Sequence, residues 1–226
     1  MNILKTEWAK LKQMNFTEKR QYIWEYYKIH LAVLAVVLFV LWNFLNIWVI
    51  NPPKQEYLYF AWMGPFVMPH QLDNFTEALS VIVDNTDRYE IRATNFAIGA
   101  HDPQLFMAMQ TRFIAALQVG SLDIFLLLNE ELQYYTDAGF LLPLDGLMQE
   151  VYASNPGLYN ALKERLVEVT FYANGTGTPQ YMAIDMQGVA FFEEIGVFTG
   201  NLYLAIVSNT RRFDRALRAL EVIFDE

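Results

Sequence analysis

The sequence predicts an α/β domain, three layers around a mostly parallel sheet, preceded by one transmembrane helix. Three observations predict it. Residues 31–50 read LAVLAVVLFVLWNFLNIWVI, twenty residues with no charge and only Asn43 and Asn46 polar. From Glu56 onward, compact apolar runs alternate with stretches of helical spacing. The run Leu122 to Leu128 is nearly all apolar, which suits a strand buried on both faces between helix layers.

A helix of twenty residues reaches about 30 Å, the thickness of a bilayer's hydrocarbon core. No water is available there, and a helix satisfies its backbone groups internally. A buried helix of a soluble core is the alternative reading, but such helices are shorter and keep a polar stripe. Ahead of the run, residues 1–30 carry Lys5, Lys10, Lys12, Lys19, Arg20 and Lys28 against Glu7, Glu18 and Glu25, whereas Lys54 is the one base close behind it. Basic residues near a span stay in the cytoplasm, so the N-terminus is expected inside and the remainder outside. Tyr22, Trp24, Tyr26 and Tyr27 at one end and Trp42 and Trp48 toward the other read as interface belts. The run exceeds a signal peptide's apolar core and meets Asn51-Pro52-Pro53-Lys54 with no small-x-small cleavage site, so an uncleaved signal anchor is expected. The chain contains no cysteine, which removes disulfides, thiolate metal sites and a lipidated N-terminal Cys together.

This gives four regions: a cytoplasmic juxtamembrane arm (1–30), the span (31–50), a linker (51–55) and an extracytoplasmic α/β domain (56–226). In the arm, Leu4, Trp8, Leu11 and Met14 fall near one helical face, and Thr17 is a candidate N-cap for a helix running straight into the span. Such an arm either grips anionic lipid or a cytoplasmic partner, or serves only to set topology. Pro52-Pro53 makes a short stiff spacer.

In the domain, Tyr57 to Met63 is a strand stopped by Gly64-Pro65, and Pro69 to Val83 has helical spacing through Leu72, Phe75, Leu79 and Ile82. Asp84 to Asp87 is a turn cluster, and Tyr89 to Ile98 a second strand stopped by Gly99. Pro103 to Val119 is a helix with Leu105, Met109, Phe113, Ala116 and Leu117 along one face. After the third strand, Glu130 to Ala138 is a short helix ended by Gly139. The resulting βαβαβ unit calls for right-handed crossovers. Beyond it the spacing predicts a helix from Gly157 to about Glu168, a loop from Phe171 to Gln180, strands at Tyr181–Met186 and Asn201–Ser208, and a terminal helix from Arg211 to Phe224; Val189 to Thr199 is ambiguous.

Two segments resemble the extracellular solute-binding proteins of ABC importers, the sugar-binding type above all. One is Asp123-Ile124-Phe125, a short helix, then Ala138-Gly139-Phe140-Leu141-Leu142-Pro143-Leu144-Asp145. The other is Asn201 to Phe224, a strand, a polar turn and a helix holding Ala216-Leu217-x-x-Leu220. The N-terminal Tyr22-Ile23-Trp24-x-Tyr26-Tyr27-Lys28-x-His30 is similar to the start of short anchored bacterial proteins. The resemblance implies a lobe of the periplasmic-binding-protein type. Full members have two lobes and about twice the length, and only residues 148–200 are left for a second lobe, too few for a separate core. A single-lobed or shortened relative is therefore expected.

In open α/β sheets, ligands sit beyond the carboxyl ends of the strands. The candidate ligand-binding residues are thus Trp62, Gly64, Gly99, His101, Asp102, Asn129 and Glu130. Gly64 and Gly99 allow close backbone approach. His101 and Asp102 suit a polar ligand, although Asp102-Pro103 is equally a helix start. Trp62 can stack a sugar or simply fill the core. No catalytic motif is present, the three histidines (His30, His70, His101) lack metal-ligand spacing, and Glu193-Glu194 read as a solvated pair. No cofactor and no enzymatic activity are expected. The acidic remainder, 10 basic against 22 acidic residues from position 51 onward, argues against nucleic acid. The function expected is a membrane-anchored, non-enzymatic binding or interaction module, with the bilayer and a membrane protein or permease as partners. The alternative is a weak receptor presenting a sugar-like small-molecule solute to an ABC-type permease.

Overall fold

A computed structural model of the chain describes residues 15–63, 66–96, 103–173, 176–197 and 199–225. The reading of an amphipathic arm over Leu4, Trp8, Leu11 and Met14 lies outside the described residues. The chain divides into two compact units, Met1–Pro53 and Lys54–Glu226.

The first unit contains helix α1, Phe16–Leu45. Its N-cap is Asn15 and not Thr17. The Asn15 backbone is extended, its side-chain oxygen accepts from the Phe16 amide at 2.8 Å, and its own amide donates to Glu18 Oε2 at 2.9 Å. Thr17 falls one residue inside the helix, where the orphan amides of the first turn have already found this partner. α1 runs unbroken into the apolar stretch and closes in a π-helical turn, Asn46–Ile50. The Asn43 amide donates to the Phe39 carbonyl at 2.9 Å, within the helix itself. Tyr27–Ile50 is long and apolar enough to cross a membrane: 24 residues with a mean hydropathy of 2.4, none of them buried.

The second unit is α/β. Strand β1 is Gln55–Met63; helix α2, Pro69–Leu79, is extended by a 3-10 turn at Ser80–Ile82; β2 is Tyr89–Asn95, α3 Pro103–Val119, β3 Ile124–Leu128 and α4 Asn129–Asp137. β1 pairs in parallel with both β2 and β3. Side chains along β1 alternate between two cores. Leu58, Phe60 and Trp62 pack with Phe75 and Leu79 of α2, while Tyr59, Ala61 and Met63 pack with Phe113 and Leu117 of α3 and Leu132 and Tyr135 of α4. Both faces of β1 are therefore dry, which is why its run and that of β3 show no polar alternation. Leu105, expected on the inner face of α3, is exposed.

The chain continues through α5 (Leu144–Ser154), α6 (Pro156–Lys163), β4 (Leu166–Ala173), β5 (Thr176–Asp185), α7 (Ala190–Glu194), β6 (Leu202–Ile206) and α8 (Phe213–Ile223). Three expectations are corrected here. The helix after Asn155-Pro156 stops at Lys163, and the residues that follow form β4. The expected loop at Phe171–Gln180 is an antiparallel hairpin, with Val169 opposite Gln180 and Ala173 opposite Thr176. α5 was not anticipated; it buries Leu144, Leu147, Met148 and Val151 at helical spacing. The ambiguous stretch Val189–Thr199 holds the short helix α7.

The six strands form one sheet in the order β2-β1-β3-β6-β5-β4. Its two pairings among β1, β2 and β3 are parallel, and the three among β3, β6, β5 and β4 are antiparallel. The sheet is thus mixed, not mostly parallel. A connection of two residues between β4 and β5 permits only an antiparallel pair, since a parallel one needs a long crossover. Among the described residues, 148–200 build no core of their own: Leu158, Leu162, Ile184, Met186, Val189 and Phe192 join the same cluster as Leu58, Phe60 and Trp62, and Val169, Met182 and Ala183 join that of Tyr59, Ala61 and Met63.

A polar knot fixes the C-terminal segment to this sheet. Asp123, 1% exposed, accepts from the Tyr59 amide (2.8 Å), Thr210 Oγ1 (2.6 Å) and Arg212 Nη1 (2.7 Å). Arg212 reaches on to Glu56 at 3.7 Å, and Glu56 accepts from Arg92 at 2.8 Å. One helical turn later, Arg215 stacks 4.4 Å over the Tyr57 ring and donates to the Tyr57 carbonyl at 3.1 Å.

Candidate functional site

β3 passes into α4 with no intervening loop. Leu128 ends the strand and occupies the N-cap position in extended conformation, without a side-chain cap. The first turn of α4 therefore stands at the carboxyl end of a parallel strand, and its residues are Asn129, Glu130 and Glu131. Helical spacing then sets the inward face: Leu132, Tyr135 and Thr136 are buried, and Glu131 lies one turn before Tyr135.

Between α4 and α3 lies a groove of about 330 Å³ lined by Gln110, Phe113, Ile114, Leu117, Glu130, Glu131, Tyr134, Tyr135 and Phe140. Its floor is aromatic and aliphatic. Phe113 meets Tyr135 edge-on at 5.7 Å, and Tyr135 meets Tyr134 edge-on at 5.1 Å. Its ionisable groups are all acidic or phenolic. Burial, and then the charge of Glu130, push the Glu131 carboxyl from 4.5 up to about 7. The amino end of a helix favours an ionised carboxylate by roughly 0.3–1 kcal/mol, so at Glu131 the loss of water outweighs the dipole. Glu131 Oε2 is shut off from solvent and has no hydrogen-bond partner. Tyr135 is pushed upward too, by burial first and then by Glu131 and Tyr134.

The residues singled out from the sequence meet different fates. Gly64, Gly99, His101 and Asp102 lie outside the described residues, and with them the capping reading of Asp102. Trp62 is a core residue, 1% exposed, with its ring edge-on to Phe75 at 6.2 Å and to Phe192 at 6.0 Å, so it presents no face for stacking a sugar. Its indole Nε1 is buried without a partner. Asn129 is exposed and does not line the groove, while Glu130 does. Glu131, Tyr134, Tyr135 and Phe113 were missed. The signal was present: Glu131 is adjacent to Leu132 and four residues before Tyr135, a spacing that turns a carboxylate toward the apolar side.

A second hollow of about 690 Å³ opens between α6 and α8, lined by Asn155, Asn160, Glu221, Phe224 and neighbours; there the Asn155 amide donates to Glu221 at 3.2 Å. Among the described residues, no group of three or more His, Cys, Asp or Glu side chains is placed to hold a metal ion. No protein-family profile matches the chain, and no curated protein matches it either.

Proposed function

We propose that the chain is a membrane-anchored, non-enzymatic binding module, one lobe of the solute-binding type, held outside the cytoplasmic membrane by the helix over Tyr27–Ile50. The observation that carries this reading is the groove between α3 and α4 at the carboxyl end of β3, the place where open α/β sheets receive ligands. The resemblance to a three-layer lobe is supported by the return of the chain. β6 lies antiparallel against β3, and α8 docks back on β1 through Arg212 and Arg215. The absence of a second core around residues 148–200 fits a single lobe, which captures a solute in a surface groove instead of between two closing halves. Excess Lys and Arg ahead of the span favour the topology with the N-terminus inside.

The experiment is thermal unfolding of the full chain in lipid nanodiscs against a panel of sugars, amino acids and small amines. A ligand at a hundredfold excess over its Kd adds about 2.7 kcal/mol to the folded state. A reproducible rise with one solute class supports the module, and a rise with sugars would bring forward the receptor for a sugar permease. No rise with any class, together with no discrete adduct from a photo-crosslinker placed at Tyr134 in native membranes, would overturn it. Protease treatment of intact cells checks the topology: the domain is expected to be cleaved from outside.

A further inference from the structure

We propose that the groove between α3 and α4 binds a small organic ammonium, with its apolar body against Phe113, Tyr134 and Phe140 and its positive charge toward Glu130 and Glu131. This deepens the binding-module reading and rests on it. The size fits: about 330 Å³ is at the small end of ligand pockets. The walls fit, because four aromatic residues and two aliphatic ones receive an apolar body, and ring faces attract cations. The charge decides the class. Among the described lining residues two are glutamates and none is Lys, Arg or His, so an anion is repelled. A neutral solute leaves the Glu131 carboxylate without a counter-charge. An ammonium supplies both the charge and the N–H donors that this carboxylate lacks.

Among the described residues, the elements around Glu131 offer no cation to neutralise it. From its own helix it faces Glu130 and the phenols of Tyr134 and Tyr135. From α3 come Gln110, Phe113, Ile114 and Leu117. From β4, which packs against α4, the face turned to this core is apolar: Val167, Val169 and Phe171. Because burial holds the carboxyl near pH 7, most of it is protonated at about pH 6. A bound cation stabilises the ionised form, so binding at that pH expels the carboxyl proton to buffer.

The test uses the full chain in nanodiscs and isothermal titration with 2-phenylethylammonium at about pH 6, in two buffers of different ionisation heat. 2-Phenylethanol and 3-phenylpropionate serve as neutral and anionic comparators. The expected result is saturable amine binding with proton release, at least about tenfold weaker binding of the alcohol, and none of the carboxylate. Glu131→Gln is expected to weaken the amine at least about tenfold and abolish proton release, and Ile114→Trp, which fills the groove, to abolish binding. Less than tenfold discrimination against the alcohol, unchanged affinity in E131Q, or no saturable amine binding overturns the proposal. If a sugar or amino acid raises the unfolding temperature while the amine does not bind, the module reading stands and this one falls.

Discussion

Two carboxylates sit at opposite ends of the five-residue strand β3, and the fold treats them in opposite ways. Asp123, just before the strand, is buried with three donors on its two oxygens: a backbone amide, a hydroxyl and a guanidinium. Glu131, just after the strand, is half-buried with one oxygen that no donor reaches. A carboxylate stripped of water and given partners fastens structure; one stripped of water without them is a cost to the fold whenever it is ionised. The amino end of β3 is therefore where the domain is tied together, and its carboxyl end carries a carboxylate oxygen left without a donor.

The contrast breaks most visibly at Asp123. Asp123→Ala removes the common acceptor for Tyr59, Thr210 and Arg212 and is expected to destabilise the folded chain by about 3–5 kcal/mol, read as the shift in denaturant midpoint. Arg212→Ala leaves Asp123 two of its donors and is expected to cost about 2 kcal/mol by the same measurement. At the other end the sign reverses. The Glu131 carboxyl is pushed up from 4.5 to about 7, so the folded state binds its proton more tightly than the unfolded chain does. Its contribution is neutral below about pH 4.5 and turns against folding as pH rises to about 7. Glu131→Gln is therefore expected to leave stability unchanged near pH 4 and to raise it at pH 8, on the order of 1 kcal/mol after allowance for solvent screening. Unfolding curves of the two proteins across that range decide it, and a loss of stability at pH 8 would contradict the picture of an unpartnered carboxylate. The smallest effect belongs to Glu130→Gln. With the neighbouring charge gone, the Glu131 titration followed by NMR should move down toward its ordinary value, though it stays raised because burial is the larger cause.

The first half of the domain was legible because β1 and β3 are buried on both faces and each helix there starts at a Pro or Asn. Phe60, Trp62, Ile124 and Leu126 announce a sheet between layers by composition alone. The second half obscured its pattern for reasons that can be named. Thr176, Gly177, Thr178 and Pro179 have turn chemistry, yet all four lie in β5, where they are exposed and pair through backbone with β4. A strand whose side chains face water on both sides carries no hydrophobic period to read. Leu166 to Glu168 reads as the end of the preceding helix, since Leu158, Leu162 and Leu166 keep helical spacing, and Phe171 to Ala173 reads as loop; the alternation Val167, Val169, Phe171 is the competing signal, and tertiary pairing chose it. At the site, Glu130 was found and Glu131 missed because a position at the end of a strand points to a neighbourhood, whereas which of two adjacent glutamates turns inward depends on the phase of the next helix. Trp62 shows the converse, a residue at the right place in the sequence that the core claims entirely.

The placement of β6 also governs how the domain comes into being. It is the last in order of the six described strands and stands in the middle of the sheet, bonded to β3 on one side and β5 on the other. Ile206 pairs with Ile124, about eighty residues upstream, and loop closure over that distance must precede any reward from the pairing. Until that strand takes its place, the β2-β1-β3 half and the β4-β5 hairpin each present a raw, unpaired strand edge.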